Sequence, residues 1–299
     1  MIYYFLLALS IVFTVCKSSL YNTYAKKATP SIFSTFCFNA LSYGAAAVIL
    51  LIVTFFGEIS LSVSTVICAL CYAVIVISLQ TVSIVAMKSG SMSMTAICVM
   101  YGMIIPALAG PIFWHEPFGV LQGVGMALML ASLWLLNDTK KTEKTDTPEK
   151  KTFSKLWIVL AIVAFVLSGM AGVMEKIHQS TDGKDEKAIF VCLACVFMLV
   201  FSIVGGLVTR KSERADKGAK PPILLGVFTG AIQGTYSLIN LTLAGALDSM
   251  IYYPIANGGA MLLTVLVSFV LFKEKLTLKK IIGTVIGIVG IVCLSLPIF

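Results

Sequence analysis

A junction between two apolar segments is written twice in this chain, as WHEPFGVLQGVG at Trp114–Gly125 and as FKEKLTLKKIIG at Phe272–Gly283. Each copy has an aromatic residue, a glutamate two positions later and a glycine nine positions after that glutamate. At an offset of 158 residues, Glu116 falls on Glu274 and the two final glycines coincide. The repetition predicts that the chain consists of two related halves.

The composition of the chain is that of a membrane protein. Hydrophobic residues make up 59% of it and charged residues 12%, whereas soluble domains are about 45–50% apolar and about 25% charged. One soluble core could not bury so much apolar surface, but a bilayer accommodates it in helices of about 20 apolar residues. The net charge of +8 lies in short loops between apolar runs. This pattern indicates membrane topology rather than a nucleic-acid partner.

The sequence predicts an all-α integral membrane protein with ten transmembrane helices. Charged and turn-forming residues separate ten apolar spans. Their predicted limits are 2–23, 31–56, 63–87, 91–114, 118–137, 155–177, 187–209, 221–245, 249–272 and 277–298. Between the fifth and the sixth span runs the polar stretch NDTKKTEKTDTPEKKTFSK, which has too few apolar residues to fold. It is predicted to be a linker.

The linker divides the chain into a first five-helix repeat at 1–137, a polar segment at 138–154 and a second five-helix repeat at 155–299. A second pair of junctions supports this division, because AMKSGSM at Ala86–Met92 aligns with AGALDSM at Ala244–Met250 at the same offset. Each half has an odd number of spans, so the second half must enter the membrane in the opposite orientation. That is the inverted-repeat architecture of many transporters.

The distribution of positive charge predicts the orientation of the chain. Eighteen of the 22 lysines and arginines lie in alternate loops and the linker, and the opposite face holds three, at Lys176, Lys184 and Lys187. Loops rich in positive charge stay in the cytoplasm. We therefore expect a multi-pass protein of the plasma membrane, with the linker inside and both termini outside.

The last hairpin, FKEKLTLKKIIGTVIGIVGIVCLSL, and its weaker twin WHEPFGVLQGVGMALMLASLWLL resemble the EamA-like branch of the drug/metabolite transporter superfamily. The resemblance covers nearly the whole chain. It implies a transporter in which Glu116 and Glu274 are structural loop residues that end the fourth helix of each half. The related four-helix multidrug exporters carry a membrane-embedded glutamate in their first helix. This chain has Lys17 there, which argues against exchange of cationic drugs for protons.

Polar side chains inside the predicted spans are the candidate substrate site, because they are costly in hydrocarbon. Lys17 lies about nine residues, roughly 13 Å, from the charged end of its helix. With Glu175 and Asp248 assigned to helix ends, the sequence predicts an unpaired ammonium in a water-filled cavity. The candidate substrate-binding residues are Lys17, Tyr21, Gln80, Tyr101, Gln233, Tyr236, Asn240, Tyr253 and Asn257. Glu175 is a candidate gate or proton site.

The leading interpretation is a secondary transporter that moves a small polar metabolite by alternating access. Lys17 suggests an amino acid or another carboxylate or zwitterion as the substrate, which the protein would carry in or out. A membrane enzyme acting on a lipid-linked substrate and a non-transporting membrane subunit remain as alternatives. The sequence shows no catalytic set, and Cys68-x-x-Cys71 and Cys192-x-x-Cys195 lack partners for a metal. We expect no cofactor or metal, and either a monomer or a homodimer.

Overall fold

The computed structural model describes residues 2–27, 32–55, 60–89, 92–136, 155–209, 223–272 and 278–296. Within these ranges every regular element is an α-helix. The helices are α1 (Ile2–Lys27), α2 (Ile32–Phe55), α3 (Val63–Ser89), α4 (Met92–Tyr101), α5 (Ile104–Phe113), α6 (Val120–Leu136), α7 (Lys155–Gln179), α8 (Lys187–Thr209), α9 (Ile223–Ala246), α10 (Ser249–Phe272) and α11 (Leu278–Ser295). Six helices in these ranges are long and apolar enough to cross a membrane, and four shorter apolar helical stretches accompany them. The predicted all-α membrane fold is confirmed.

The predicted fourth span, 91–114, is interrupted between α4 and α5. Pro106 has no backbone N–H, so the carbonyl of Gly102 lacks the donor that a continuous helix would supply. The backbone closes in tighter turns instead, and the Gly102 N–H donates to the Val99 carbonyl at 3.1 Å. The Ser168 hydroxyl also donates to that carbonyl, at 2.8 Å. The predicted fourth span is therefore interrupted by a break that Pro106 explains, although Cys98–Phe113 remains one apolar stretch. The count of ten spans stays a prediction.

The helices form two compact units, each of which takes helices from both sequence halves. The first unit comprises Met1–Ser78 and Met174–Ala246, and the second comprises Leu79–Val173 and Leu247–Phe299. The repeat limits at 1–137 and 155–299 describe similarity along the sequence, whereas the units describe contacts in space. The repeat limits therefore remain a prediction.

In the first unit, α9 lies so close to α2 that a glycine is required between them. A Cβ atom added at Gly230 would overlap the carbonyl oxygen of Ser42 and lie 2.8 Å from the Cβ of Ala45. One turn later, a Cβ atom at Gly234 would find ordinary contacts at 3.5 Å or more, with Leu50 and Ala46. Backbone atoms of α2 therefore limit the space at Gly230, whereas only side chains lie near Gly234. This is the small-residue packing that holds helices together in lipid.

In the second unit, α6 and α11 meet through glycines in a reciprocal pattern. A Cβ atom at Gly125 would lie 2.9 Å from Cγ of Leu294, and one at Gly283 would lie 3.1 Å from Cγ of Leu136. Gly283 follows Gly125 by 158 residues, and Leu294 follows Leu136 by the same number. The glycine of each helix therefore contacts the leucine of the other helix, and an offset of 158 residues converts one contact into the other. The Ser132 hydroxyl adds a hydrogen bond to the Gly283 carbonyl, at 2.8 Å.

Glu116 caps the start of α10 in the second unit. Its carboxylate accepts the Ser249 backbone N–H at 2.6 Å and the Ser249 hydroxyl at 3.3 Å. A negative charge at this end is favourable because the first N–H groups of a helix lack partners and the helix dipole is positive there. His115 turns the chain back toward α10 with a left-handed φ of 53°. Glu274, the predicted counterpart of Glu116, lies outside the described residues.

Glu186 has the same role at the start of α3 in the first unit. Its carboxylate accepts the Ser62 backbone N–H at 3.0 Å and the Ser62 hydroxyl at 2.8 Å. Desolvation raises the pKa of Glu186, but the hydrogen bonds from Thr65 and Ser62 outweigh it, and the pKa lies below its ordinary value. The charged form of Glu186 is thus the form that stabilises this helix end.

We predict that Gly230→Ala destabilises the protein and that Gly234→Ala, the matched control, does not. Overpacking at a rigid contact costs about 1–3 kcal/mol, and at Gly230 the obstacle is helix backbone, which cannot rotate away. At Gly234 the added methyl group fits, and alanine is the better helix former. Melting temperatures in detergent would decide this. Equal stability of the two variants would contradict the packing described for α2 and α9.

A second prediction concerns Glu186 and acid. A carboxyl group with a lowered pKa in the folded state stabilises the fold above its unfolded pKa of about 4.3, and this contribution is lost as the pH falls through the folded value. Glu186→Gln should therefore melt below the wild type at neutral pH, and the gap should close as the medium is acidified. The control is Asp185→Asn, which removes an exposed neighbouring carboxylate. A gap that stays constant down to acidic pH would show that the charge of Glu186 is not what stabilises α3.

Candidate functional site

Lys17 is placed by α1 inside the first unit, where its ammonium faces an aromatic ring. Nζ of Lys17 lies 4.2 Å from the centroid of the Tyr236 ring on α9. A cation within about 6 Å of a ring centroid is attracted by the negative face of the ring, by about 2 kcal/mol when the pair is desolvated. Both residues were predicted as site residues, and the structure brings them together.

Glu175, on the last turns of α7, is the acidic member of the same group. Its side chain is 9% exposed, and its Oε1 atom accepts a hydrogen bond from the Tyr72 hydroxyl at 3.1 Å. Glu175 was assigned to a helix end, but its side chain is nearly fully buried. The absence of an acidic partner for Lys17 stays a prediction.

Two further tyrosines lie in the first unit beside these residues. Tyr72 packs against the buried apolar cluster that contains Tyr43, and the Tyr72 ring packs on Phe190 with 5.7 Å between centroids. We define the Lys17 cluster as the set of five side chains contributed by α1, α2, α3, α7 and α9. Its members are Lys17, Tyr43, Tyr72, Glu175 and Tyr236. The cluster combines one cation, one carboxyl group and three phenolic hydroxyls, which can bind a small molecule that carries charge.

The predicted amides of α9 lie in the first unit as well, but they have local partners. Asn240 is buried, and its Oδ1 atom accepts a hydrogen bond from the Ser10 hydroxyl of α1 at 2.6 Å. Gln233 donates from Nε2 to the Ser237 hydroxyl at 3.0 Å. Asn240 therefore joins α1 to α9 as interhelical hydrogen bonds do in lipid. Tyr21 belongs to α1, but its side chain lies outside the described residues.

The other four predicted binding residues belong to the second unit. The Tyr253 hydroxyl donates to the Gly172 carbonyl at 2.6 Å, and the Tyr101 hydroxyl donates to the Leu130 carbonyl at 2.9 Å. Nδ2 of Asn257 donates to the Tyr253 carbonyl at 2.9 Å, and Gln80 is partly buried on the second-unit part of α3. The hydroxyl protons of both tyrosines are thus engaged by helix backbone. None of these four residues brings a charge.

The sequence analysis missed Tyr72 and did not assign Glu175 to the Lys17 group. A signal for Glu175 existed, because it follows Lys17 by 158 residues, the offset of the repeated junctions. Tyr72 gave no comparable signal, since it is one aromatic residue in an apolar helix. Among the described residues, no group of three histidine, cysteine or acidic side chains could hold a metal ion. All eight cysteines are free.

A family model, a curated relative and a solved structure are similar to this chain. The model of the EamA-like transporter family matches residues 155–296. The uncharacterized membrane protein YvaE of Bacillus subtilis (strain 168) is 31% identical over 108 residues, which are 36% of this chain and 83% of YvaE. A solved chain described only as "Crystal structure of protein" is 10% identical and aligns with a TM-score of 0.74, over 97% of this chain and 95% of its own. The last similarity concerns the fold alone.

The sequence matches and the apolar helices both indicate a membrane protein. The family match covers the second half of the chain, including the hairpin whose residues carry the resemblance, and the relative is a membrane protein. The apolar helices are those of a multi-pass membrane protein, and the members of the family are transporters of the drug/metabolite type. This chain belongs to the EamA-like transporter family.

Proposed function

We propose that this protein is a secondary transporter that moves a small polar metabolite with a carboxylate group across the plasma membrane. The family supports transport, and the Lys17 cluster supports the substrate chemistry. The single observation on which the proposal depends is the ammonium of Lys17, held against the Tyr236 ring inside a unit of apolar helices. An ionised side chain at such a place marks a substrate or ion pathway by default.

The cluster favours an amino acid or a related zwitterion over a neutral solute. Lys17 supplies a positive charge for a carboxylate, and a charge-assisted hydrogen bond of this kind is about twice as strong as a neutral one. The Tyr236 ring and the phenolic hydroxyls offer further contacts to the body of a small metabolite. A neutral sugar has no negative group to pair with the Lys17 ammonium.

We propose that transport uses alternating access between two inverted five-helix repeats, at 1–137 and 155–299. The support comes from α6 and α11, where the contact of Gly125 with Leu294 and that of Gly283 with Leu136 exchange at an offset of 158 residues. In inverted-repeat transporters the substrate site lies near the middle of the bilayer at the repeat interface. Ten spans, with α4 and α5 forming one interrupted span, follow from this architecture.

The proposed orientation has the 138–154 linker in the cytoplasm and both termini outside, and it predicts a labelling pattern. In a background without the eight native cysteines, Asp185→Cys should react with a membrane-impermeant maleimide in intact cells. Thr147→Cys, in the linker, should react only after the cells are lysed. The positive-inside rule gives this order. Efficient labelling of the linker cysteine in intact cells would reverse the assignment.

The experiment that tests the function begins with a melting-temperature screen of the purified protein against small carboxylates and amino acids. A ligand that binds only the folded protein raises its melting temperature. The compound with the largest shift is then followed in liposomes that contain the protein, as a radiolabelled solute. Absence of any protein-dependent flux for every compound that shifts the melting temperature would reject the transporter proposal.

We predict that Lys17→Met abolishes this flux in a protein that still folds, whereas Lys17→Arg retains part of it. Arginine keeps the positive charge but has a different shape and hydrogen-bond pattern. Lys184→Met, which removes an exposed lysine of the turn between α7 and α8, is the matched control and should transport normally. Wild-type flux in Lys17→Met would show that the ammonium does not bind the solute.

A further inference from the structure

His178 is a fully buried histidine near the end of α7, and the proposed transport function makes no use of it. Its ring has no exposed surface and packs on the Phe190 ring of α8, with 4.1 Å between the centroids. Both ring nitrogens have polar neighbours. Nε2 lies 3.2 Å from Oγ1 of Thr65 on α3, and Nδ1 lies 3.1 Å from Nε2 of Gln179. These neighbours decide which protonation state of the ring fits the fold.

The Gln179 amide determines which nitrogen of the His178 ring carries the proton. Nε2 of Gln179 also lies 3.3 Å from the backbone carbonyl oxygen of Lys184, and a carbonyl oxygen can only accept a hydrogen bond. The amide therefore presents its NH2 group here, and Nδ1 of His178 must accept from it. A neutral imidazole that accepts at Nδ1 carries its proton on Nε2. The ring thus donates to the Thr65 hydroxyl.

The hydrogen bond from His178 leads to the carboxylate that caps α3. The Thr65 hydroxyl donates to Glu186, and the Ser62 hydroxyl donates to the same carboxylate at 2.8 Å. Gln179, His178, Thr65 and Glu186 therefore form a chain in which each group donates to the next. This chain of hydrogen bonds joins the turn between α7 and α8 to the start of α3.

A second proton on the His178 ring is incompatible with these hydrogen bonds. A protonated Nδ1 atom is a donor and would face the NH2 group of Gln179, so that two donors oppose each other. The ring has no exposed surface at which water could solvate its charge, and an ionised group buried without compensation is costly. The Glu186 carboxylate attracts such a charge, but the Thr65 hydroxyl lies between the two groups. The neutral ring is the form that fits the closed turn.

The other groups around His178 leave the neutral ring favoured. α3 faces it with the Thr65 hydroxyl, α8 faces it with the Phe190 ring, and α9 approaches the neighbouring amide with a glycine. Glu175, one turn earlier on α7, accepts its hydrogen bond from Tyr72. The remaining charged residues of this segment are of both signs and are exposed or partly exposed, so that solvent screens them. They are Lys176, Asp182, Lys184, Asp185 and Lys187.

We propose that His178 is a pH-sensitive switch, which fastens the α7–α8 turn to the start of α3 as a neutral ring and releases the turn when it takes a second proton. A histidine freed from these contacts takes its proton near pH 6.5. The stability that the neutral ring contributes is therefore fully present above about pH 6.5 and is lost as the pH falls below that value, because only the released form binds the proton. At one pH unit lower, the released form is favoured about tenfold.

The switch acts on the two helices that also meet at the Lys17 cluster. Thr65 precedes Tyr72 by seven residues on α3, and His178 follows Glu175 by three residues on α7, so each pair shares a helix face. The bond between Tyr72 and Glu175, at 3.1 Å, is the next polar contact along this seam. Release of the turn would therefore loosen the same pair of helices that carries two members of the cluster.

The test uses the purified full-length protein without a histidine tag, so that His115 and His178 are its only histidines. Melting temperatures are recorded from about pH 8 to about pH 5, on both sides of the ordinary histidine pKa of about 6.5. Hydrogen–deuterium exchange of residues 60–70 and 180–190 is followed over the same range, with labelling times corrected for the intrinsic effect of pH. In the wild type, acid should lower the melting temperature and should speed the corrected exchange of both segments about tenfold at one unit below that pKa.

His178→Gln, which cannot take a proton, should lose both acid effects. His115→Asn is the matched control and should keep them, because it removes the exposed histidine and asparagine tolerates the left-handed backbone of that position. Glu186 does not obscure this result, because carboxyl groups titrate at about pH 4.3 or below when their pKa is lowered. The acid loss predicted for Glu186 therefore falls in a lower range of pH.

Gln179→Glu supplies a second arm, which also serves if His178→Gln does not fold. A carboxylate at this position accepts a hydrogen bond from protonated Nδ1, so the second proton becomes favourable and acid should no longer release the turn. An acid response that is absent from the wild type, or that is equally strong in His178→Gln, overturns the inference. So does an undiminished acid response in Gln179→Glu, because the opposition of two donors would then not be its cause.

Discussion

The positive charge of Lys17 is the constraint around which the first unit is arranged. An ammonium among apolar helices needs partners, and the Tyr236 ring on α9 provides one at 4.2 Å. The buried carboxyl group of Glu175 on α7 likewise needs a donor, which the Tyr72 hydroxyl on α3 provides. Helices far apart in the sequence are thereby brought to one place. The charge is costly among apolar helices, so particular side chains must be placed beside it.

The helix ends show a second use of charge, with different consequences. Glu116 and Glu186 each accept a backbone N–H at the start of another helix, at 2.6 Å and 3.0 Å. Each bond joins segments that come from different halves of the sequence. At these positions a carboxylate stabilises the helix start, whereas the carboxyl group of Glu175 is buried among helices and accepts a hydrogen bond from Tyr72. The resemblance implies a structural role for Glu116, and this role stays a prediction.

The sequence was sufficient to predict the helical class and several members of the cluster, because both depend on local features. Hydropathy defines the spans, and the spacing of Gln233, Tyr236 and Asn240 places them on one face of α9. The sequence pattern could not show which neighbouring helix each face contacts. Tyr72 was missed for that reason, and Asn240, predicted to bind a solute, is bonded to Ser10. The break before Pro106 was missed because a proline in a membrane helix is often tolerated.

The spacing of Lys17 and Glu175 bears on how such a chain can arise. A dimer of identical short chains must place the same residue at both equivalent positions, so its centre holds either two cations or two anions. A single chain with two repeats, as proposed here, is free of this restriction, and the positions that the offset of 158 residues relates are Lys17 and Glu175, of opposite charge. Two proposed repeats in one chain thus permit unlike charges at related positions, which no dimer of identical chains allows.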